Sequence, residues 1–281
     1  MKIEGINNIN NINYILILFM SIDHLKNKNP FKRDANISFQ DKGHIYTIKH
    51  DGKSGNDTGF TSVTTFVHSF VEKFDADKII DNMMRSARWP DNKYYGMTKP
   101  EIKKLWTDNG IEASGAGTKL HYDIECIYNE MSVTNDSVEY KYFLDFKNNY
   151  SNLTAYRTEM LVYHEELRIS GSIDMIFQKE DGSLEIYDWK RSKEIVKVSK
   201  WNKWMNSPVI SHLPDTNYWH YALQLNIYKA IVNEKYGMNV KDLYLVILHP
   251  NNRSYLRIHV VDLQDEVKQL FLERLEQLST I

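Results

Sequence analysis

One cysteine, Cys126, is all that these 281 residues contain. That excludes a disulfide framework and a four-cysteine iron–sulfur cluster, and it points to a reducing, intracellular compartment. No Gly-x-x-x-x-Gly-Lys-Ser/Thr stretch occurs, so no ATP-driven motor of that type is expected in the chain. A membrane span is not expected either. The apolar run Tyr14–Met20 is far shorter than the ~20 residues a spanning helix needs. It also lacks an Ala-x-Ala cleavage site, and its surroundings lack the arginines of a presequence. Positive charge is not in excess, since 35 Lys and Arg face 37 Asp and Glu. Net charge says nothing of distribution, however. With 42% hydrophobic and 26% charged residues, the chain can bury one sizeable core.

The most informative stretch that is present runs from Glu165 to Lys190. Leu167 to Phe177 and Leu184 to Lys190 are rich in Ile, Phe, Tyr and Trp and read as a β-hairpin turning at Asp181-Gly182. Asp188 and Lys190 are two apart on a strand and leave the same face. A turn centred near Asp181 sets Asp174, fourteen residues before Asp188, opposite it. Two carboxylates and an ammonium converging among apolar residues suit a divalent cation and a phosphodiester. Hydrolysis of that ester builds negative charge at phosphorus, which a hard cation such as Mg²⁺ or Mn²⁺ neutralises while acidifying a water. A lysine beside it stabilises the same charge. Without a cation the two aspartates would repel and one would take up a proton.

Two other segments carry residues that could join such a site. Gly117 to Glu125 is expected to open a helix after a flexible Ser114–Gly117 stretch, with His121 and Glu125 on one face. A neutral imidazole there could be a further metal ligand. Tyr218 to Tyr236 reads as a long helix on which Gln224 and Tyr228 share a face.

In order, Gly-Thr-x-x-His, Gly-x-x-Asp, Asp-x-Lys and Gln-x-x-x-Tyr resemble the RecB-like, lambda-exonuclease-like branch of the PD-(D/E)XK nuclease superfamily. The matched region runs from about Ser114 to Tyr228, and the layout also resembles predicted nucleases of large DNA viruses. Ile173 stands where many members have proline. The resemblance implies a restriction-endonuclease-like α/β core: a central mixed sheet flanked by helices, with a helical N-terminal elaboration. It implies metal binding by His121, Asp174, Asp188 and the Trp189 carbonyl, with Glu125 and Glu159 as additional candidates. Lys190 would be the catalytic lysine, and Gln224 and Tyr228 would support the site and touch DNA.

Past Lys190 the chain carries Arg191, Lys193, Lys197, Lys200 and Lys203 against one acid, Glu194, with Trp201 and Trp204 at the end. Cations for phosphates and flat rings for unstacked bases suit a single-strand channel. A solvated basic helix with its tryptophans in a core is the alternative. A smaller cluster joins Lys99, Lys103 and Lys104 to Trp106.

The remaining pattern is scaffolding. Residues 1–36 read as a low-complexity arm, and 37–281 as a single nuclease domain with its motif core at about 114–262. Ser62 is expected to cap a helix bearing Val63, Phe66, Val67, Phe70 and Val71. Residues 75–113 read as helical, broken at Trp89-Pro90 and Lys99-Pro100. Strands are expected at Leu243–His249 and Tyr255–Val260, then a closing helix over Gln264–Leu278. The function expected is a metal-dependent DNA nuclease, more specifically an exonuclease of replication, repair or recombination, working with any helicase as a separate protein. An endonuclease on the same core and an inactive DNA-binding protein are the alternatives, and RNA stays open as substrate.

Overall fold

Strand alternation and helical spacing set out an α/β domain, and the computed structural model, which describes residues 21–49 and 55–280, has that architecture. A small antiparallel sheet comes first: β1 (Ile37–Gln40), β2 (Ile45–Lys49) and β3 (Asn56–Asp57). The main sheet follows in the order β4 (Thr61–Ser62), β6 (Ile169–Gln178), β7 (Leu184–Lys190), β8 (Val240–Ile247), β9 (Leu256–His259), with β5 (Thr154–His164) also paired to β6. It is mixed. β4 runs parallel to β6 and β7 parallel to β8, while the other pairs are antiparallel.

β6 is paired to β5 along its length, but its other edge is shared. β4 takes Ile169 and Ser170, and β7 takes Met175 to Gln178. Residues 171–174 lie between, where the sheet splits and its edge is not occupied by a ladder. Parting strands leave room for side chains and ligands where backbone would otherwise pair.

Helices cover both faces. On one face α2 (Val63–His68), α6 (Asn217–Lys235) and α7 (Gln264–Ser279) bury Phe66, Leu223, Ile227 and Phe271 against Met160, Ile173, Ile186 and Leu245. On the other, α4 (Lys99–Tyr128) and α5 (Val138–Asn149) set Leu120, Ile124, Phe143 and Phe146 against Phe177, Tyr187 and Trp189. The expected cap at Ser62 is present, its hydroxyl accepting from the Thr65 N–H. The helix stops at His68, short of Phe70 and Val71.

Two helical expectations are corrected. Ser114–Gly117 is not a flexible lead-in, because α4 is continuous over 30 residues. Nor does Lys99-Pro100 break a helix: Pro100 sits in the first turn, where the missing N–H costs nothing, and Thr98 and Glu101 form a capping box. α4 is anchored at both ends, by buried Ile102 and by buried Leu120 and Ile124, and residues 107–115 between them are exposed. α3 (Ala76–Arg85) lies beside its N-terminal half, tied by the ion pairs of Lys99 with Asp81 and Lys103 with Asp77. Lys104 pairs with Asp108. The second basic cluster is therefore neutralised by its own neighbours.

Residues 21–36, read from sequence as part of an arm, dock on the domain. Leu25 of α1 (His24–Lys28) is buried, its N–H bonded to Asn129, while buried Arg157 on β5 binds Asp34 and the Asn29 carbonyl. The apolar Tyr14–Met20 run lies outside the described residues. Among those described, no helix is long and apolar enough to cross a membrane.

Candidate active site

β7 alternates between the two cores. Ile186 faces α6 and Tyr187 and Trp189 face α5, so Asp188 and Lys190 point together toward α6. Lys190 Nζ stands 2.7 Å from Asp188 Oδ2. Antiparallel pairing sets Met175 opposite Tyr187, and its register extends to Asp174 opposite Asp188, as the turn position implies. On the other edge Thr158 pairs with Met175 and Met160 with Ile173, which brings Glu159 level with Asp174. Three carboxylates thus form a row across three strands, at the split in the sheet.

Local chemistry holds this row open. The ladder between β6 and β7 ends at Met175, and the Asp174 carboxylate takes its place by accepting the Trp189 N–H at 2.9 Å. Glu159 adopts φ +42° in the middle of a strand, a left-handed conformation costly for a side chain of its size. Its carboxylate accepts from the Ser172 hydroxyl at 2.8 Å.

His121 enters from α4. Its Nε2 lies 2.8 Å from the Trp189 carbonyl, and only a protonated Nε2 can donate there. In the neutral ring Nδ1 then carries the lone pair, and it lies 3.5 Å from Asp174 Oδ2 and 3.9 Å from Glu159 Oε1. Donor atoms of His121, Glu159 and Asp174 all lie within 4.8 Å of one another. Glu125, one turn further along α4, lines the same cleft near Asp23, but neither it nor Asp188, which pairs with Lys190, joins that cluster. The pKa of Glu125 is pushed up to about 7 by burial and then by the Asp23 charge.

α6 closes the other side. Gln224 Oε1 is 3.5 Å from Lys190 Nζ, and the Tyr221 ring lies 4.6 Å beneath the ammonium. Tyr228 packs directly on Gly171, where any Cβ would come within 2.7 Å of its ring. The glycine of Gly-x-x-Asp therefore answers the tyrosine of Gln-x-x-x-Tyr. One needs the other's missing side chain.

Crowding has an electrostatic consequence. Burial, then the charge of Asp174, lifts Glu159 above the ordinary carboxylate range, against a smaller lowering by Ser172. Asp188 is likewise raised by burial, with Asp174 adding to it and Lys190 opposing. Burial alone would lower Lys190, but Asp188 and Asp174 outweigh it and hold the ammonium charged. The acids outnumber the one cation among them. A site of carboxylate oxygens, a carbonyl and a lone-pair imidazole nitrogen, short of positive charge, fits a hard divalent cation.

Arg191 to Lys203 forms no helix, and its tryptophans are not in a core. Trp201 is 83% exposed and Trp204 47%. Arg191 is tied to Glu139, Lys203 to Glu72, and Lys197 lies over the Tyr218 ring. Lys193 and Lys200 are exposed. Tyr46 was not anticipated from sequence. It arrives on β2 with its ring buried in the cleft wall, and nothing in its spacing signals that place.

The family model of the PD-(D/E)XK nuclease superfamily matches residues 65–280 of the chain. Among solved structures the chain is similar to SSO0001, at 14% identity over 79% of this chain and 77% of that one, with a TM-score of 0.33. It is also similar to a candidate exonuclease from Eubacterium rectale, at 10% identity over 79% of each chain and a TM-score of 0.34. No curated protein matches it in sequence.

Proposed function

Because this chain belongs to the PD-(D/E)XK nuclease superfamily, we propose that it hydrolyses DNA phosphodiester bonds with a divalent metal and acts as an exonuclease. The observation that carries the reading is the row of Glu159, Asp174 and Asp188, with His121 Nδ1 turned toward Glu159 and Asp174 and Lys190 at the end of the row. His121, Glu159, Asp174, Asp188 and the Trp189 carbonyl would hold Mg²⁺ or Mn²⁺. When bound, the ion supplies charge neutralisation at the phosphate and an acidified water.

The chain's own residues do the rest. Lys190, held charged, donates to the attacking water or to a phosphate oxygen as negative charge accumulates. Gln224 and Tyr221 restrict where the ammonium can point. The His121 hydrogen bond to Trp189 fixes the imidazole tautomer that leaves Nδ1 free to coordinate. Trp201, Lys193 and Lys200, all exposed just beyond Lys190, are the proposed contacts for the strand leaving the site, with Arg191, Lys197 and Lys203 beside them.

An end-dependent enzyme degrades a linear single strand and spares a closed circle. A time course on both in Mn²⁺ is expected to show loss of the linear strand alone. Loss of the circle as well would replace the exonuclease with an endonuclease.

A further inference from the structure

One wall of the cleft is left unexplained by the acids. β1 and β2 pair Phe39 with Tyr46, and His44 completes a group of rings. Phe39 lies 4.9 Å from His44 and 4.6 Å from Tyr46, centroid to centroid, and His44 lies 5.7 Å from Tyr46. Ile37 and Ile48 bury the base of this hairpin on Tyr163 of β5. Its tip turns back at Gly43 and His44, both at positive φ. All three rings line a cleft of about 700 Å³ shared with His121, Glu159 and Ser172. Burial first, and then the charges of Glu159 and Asp174, raise the Tyr46 hydroxyl above its ordinary value, so the ring feels the same acids.

Free cations do not account for how a strand would be held here. Lys26 and Arg157 are the basic side chains among the described residues lining the cleft, and each is paired, with Asp23 and Asp34 respectively. Asp41 and Glu125 add negative charge. What such a wall offers is aromatic surface, whose natural occupant beside a phosphodiester is an uncharged planar base. A duplex presents its bases only by their edges, whereas rings stack on a base that is unpaired.

We propose that Phe39 and His44, backed by the buried ring of Tyr46, form a subsite for the unpaired base next to the scissile phosphate, making single-stranded DNA the substrate class. The proposal rests on reading the cleft as a nuclease site. Its test is separable because it uses binding. Fluorescence anisotropy would compare a labelled oligothymidylate with an abasic strand of equal length, in Ca²⁺ and again in EDTA.

Wild type is expected to bind the abasic strand about 10-fold more weakly, the scale of one base–aromatic stack. Phe39→Leu, which keeps the apolar packing, and His44→Ala, at an exposed position, are each expected to shrink that preference to about two-fold. Equal binding of both strands by wild type, or an undiminished preference in both variants, overturns the subsite. A preserved preference without any metal-dependent cleavage would instead remove the nuclease reading and leave the subsite standing.

Discussion

Asp174 faces an acid across each of its neighbouring strands, and the protein accepts a cost for that row. Glu159 holds φ +42° within β5, a conformation worth about 1–3 kcal/mol of strain. Glycine adopts it freely. Glu159→Gly is therefore expected to leave folding stability unchanged or raised by about 1 kcal/mol in EDTA, while hydrolysis is lost. Chemical denaturation checks it, and a fall of more than about 1 kcal/mol would show that Glu159 serves the fold. The opposition of Asp174 and Asp188 could be read from sequence because a turn position fixes antiparallel register. Glu159 came only through the family resemblance, since no hairpin turn of obvious type links β5 to β6. Tyr46 could not be read at all. Its approach to the acids depends on a small sheet folding over β5, and no sequence interval encodes that.

At the scale of elements, α4 shows where glycine misleads. Gly110, Gly115 and Gly117 lie in one 30-residue helix, and a stretch containing Ser114 to Gly117 reads as a break because each glycine costs about 1 kcal/mol relative to alanine. The helix survives because both ends are packed or capped, and nothing lies within 4 Å of a Cβ added at Gly110 or Gly115. Alanine at either position should therefore stabilise the protein by up to about 1 kcal/mol, with roughly additive effects in the double variant. Denaturant midpoints measure this. Destabilisation would mean that residues 107–115 are not helical in solution. α6, α7 and the strands β6 to β9 were legible because apolar periodicity or turn position marks them, whereas α5 and β5 were not singled out. Arg191–Lys203 was not, because lysine-rich spacing is equally compatible with a solvated helix and an irregular loop.

At the scale of the molecule, the split in the main sheet is the organising feature. β4 and β7 divide one edge of β6 between them, α4 brings His121 to the opening from one face, and α6 brings Gln224 and Tyr228 from the other. Every side chain proposed for chemistry meets at that opening, and the superfamily match covers the elements that form it from α2 onward. The central claim is that this opening is a metal-dependent nuclease site. The measurement that tests it most directly is Mn²⁺-dependent cleavage of an end-labelled linear single strand by wild type, Asp174→Ala and Lys190→Ala. Wild type should cleave only with the metal present, and both variants should lose at least ~10²-fold in rate while remaining folded. Cleavage without metal, or near wild-type rates in either variant, would contradict the account.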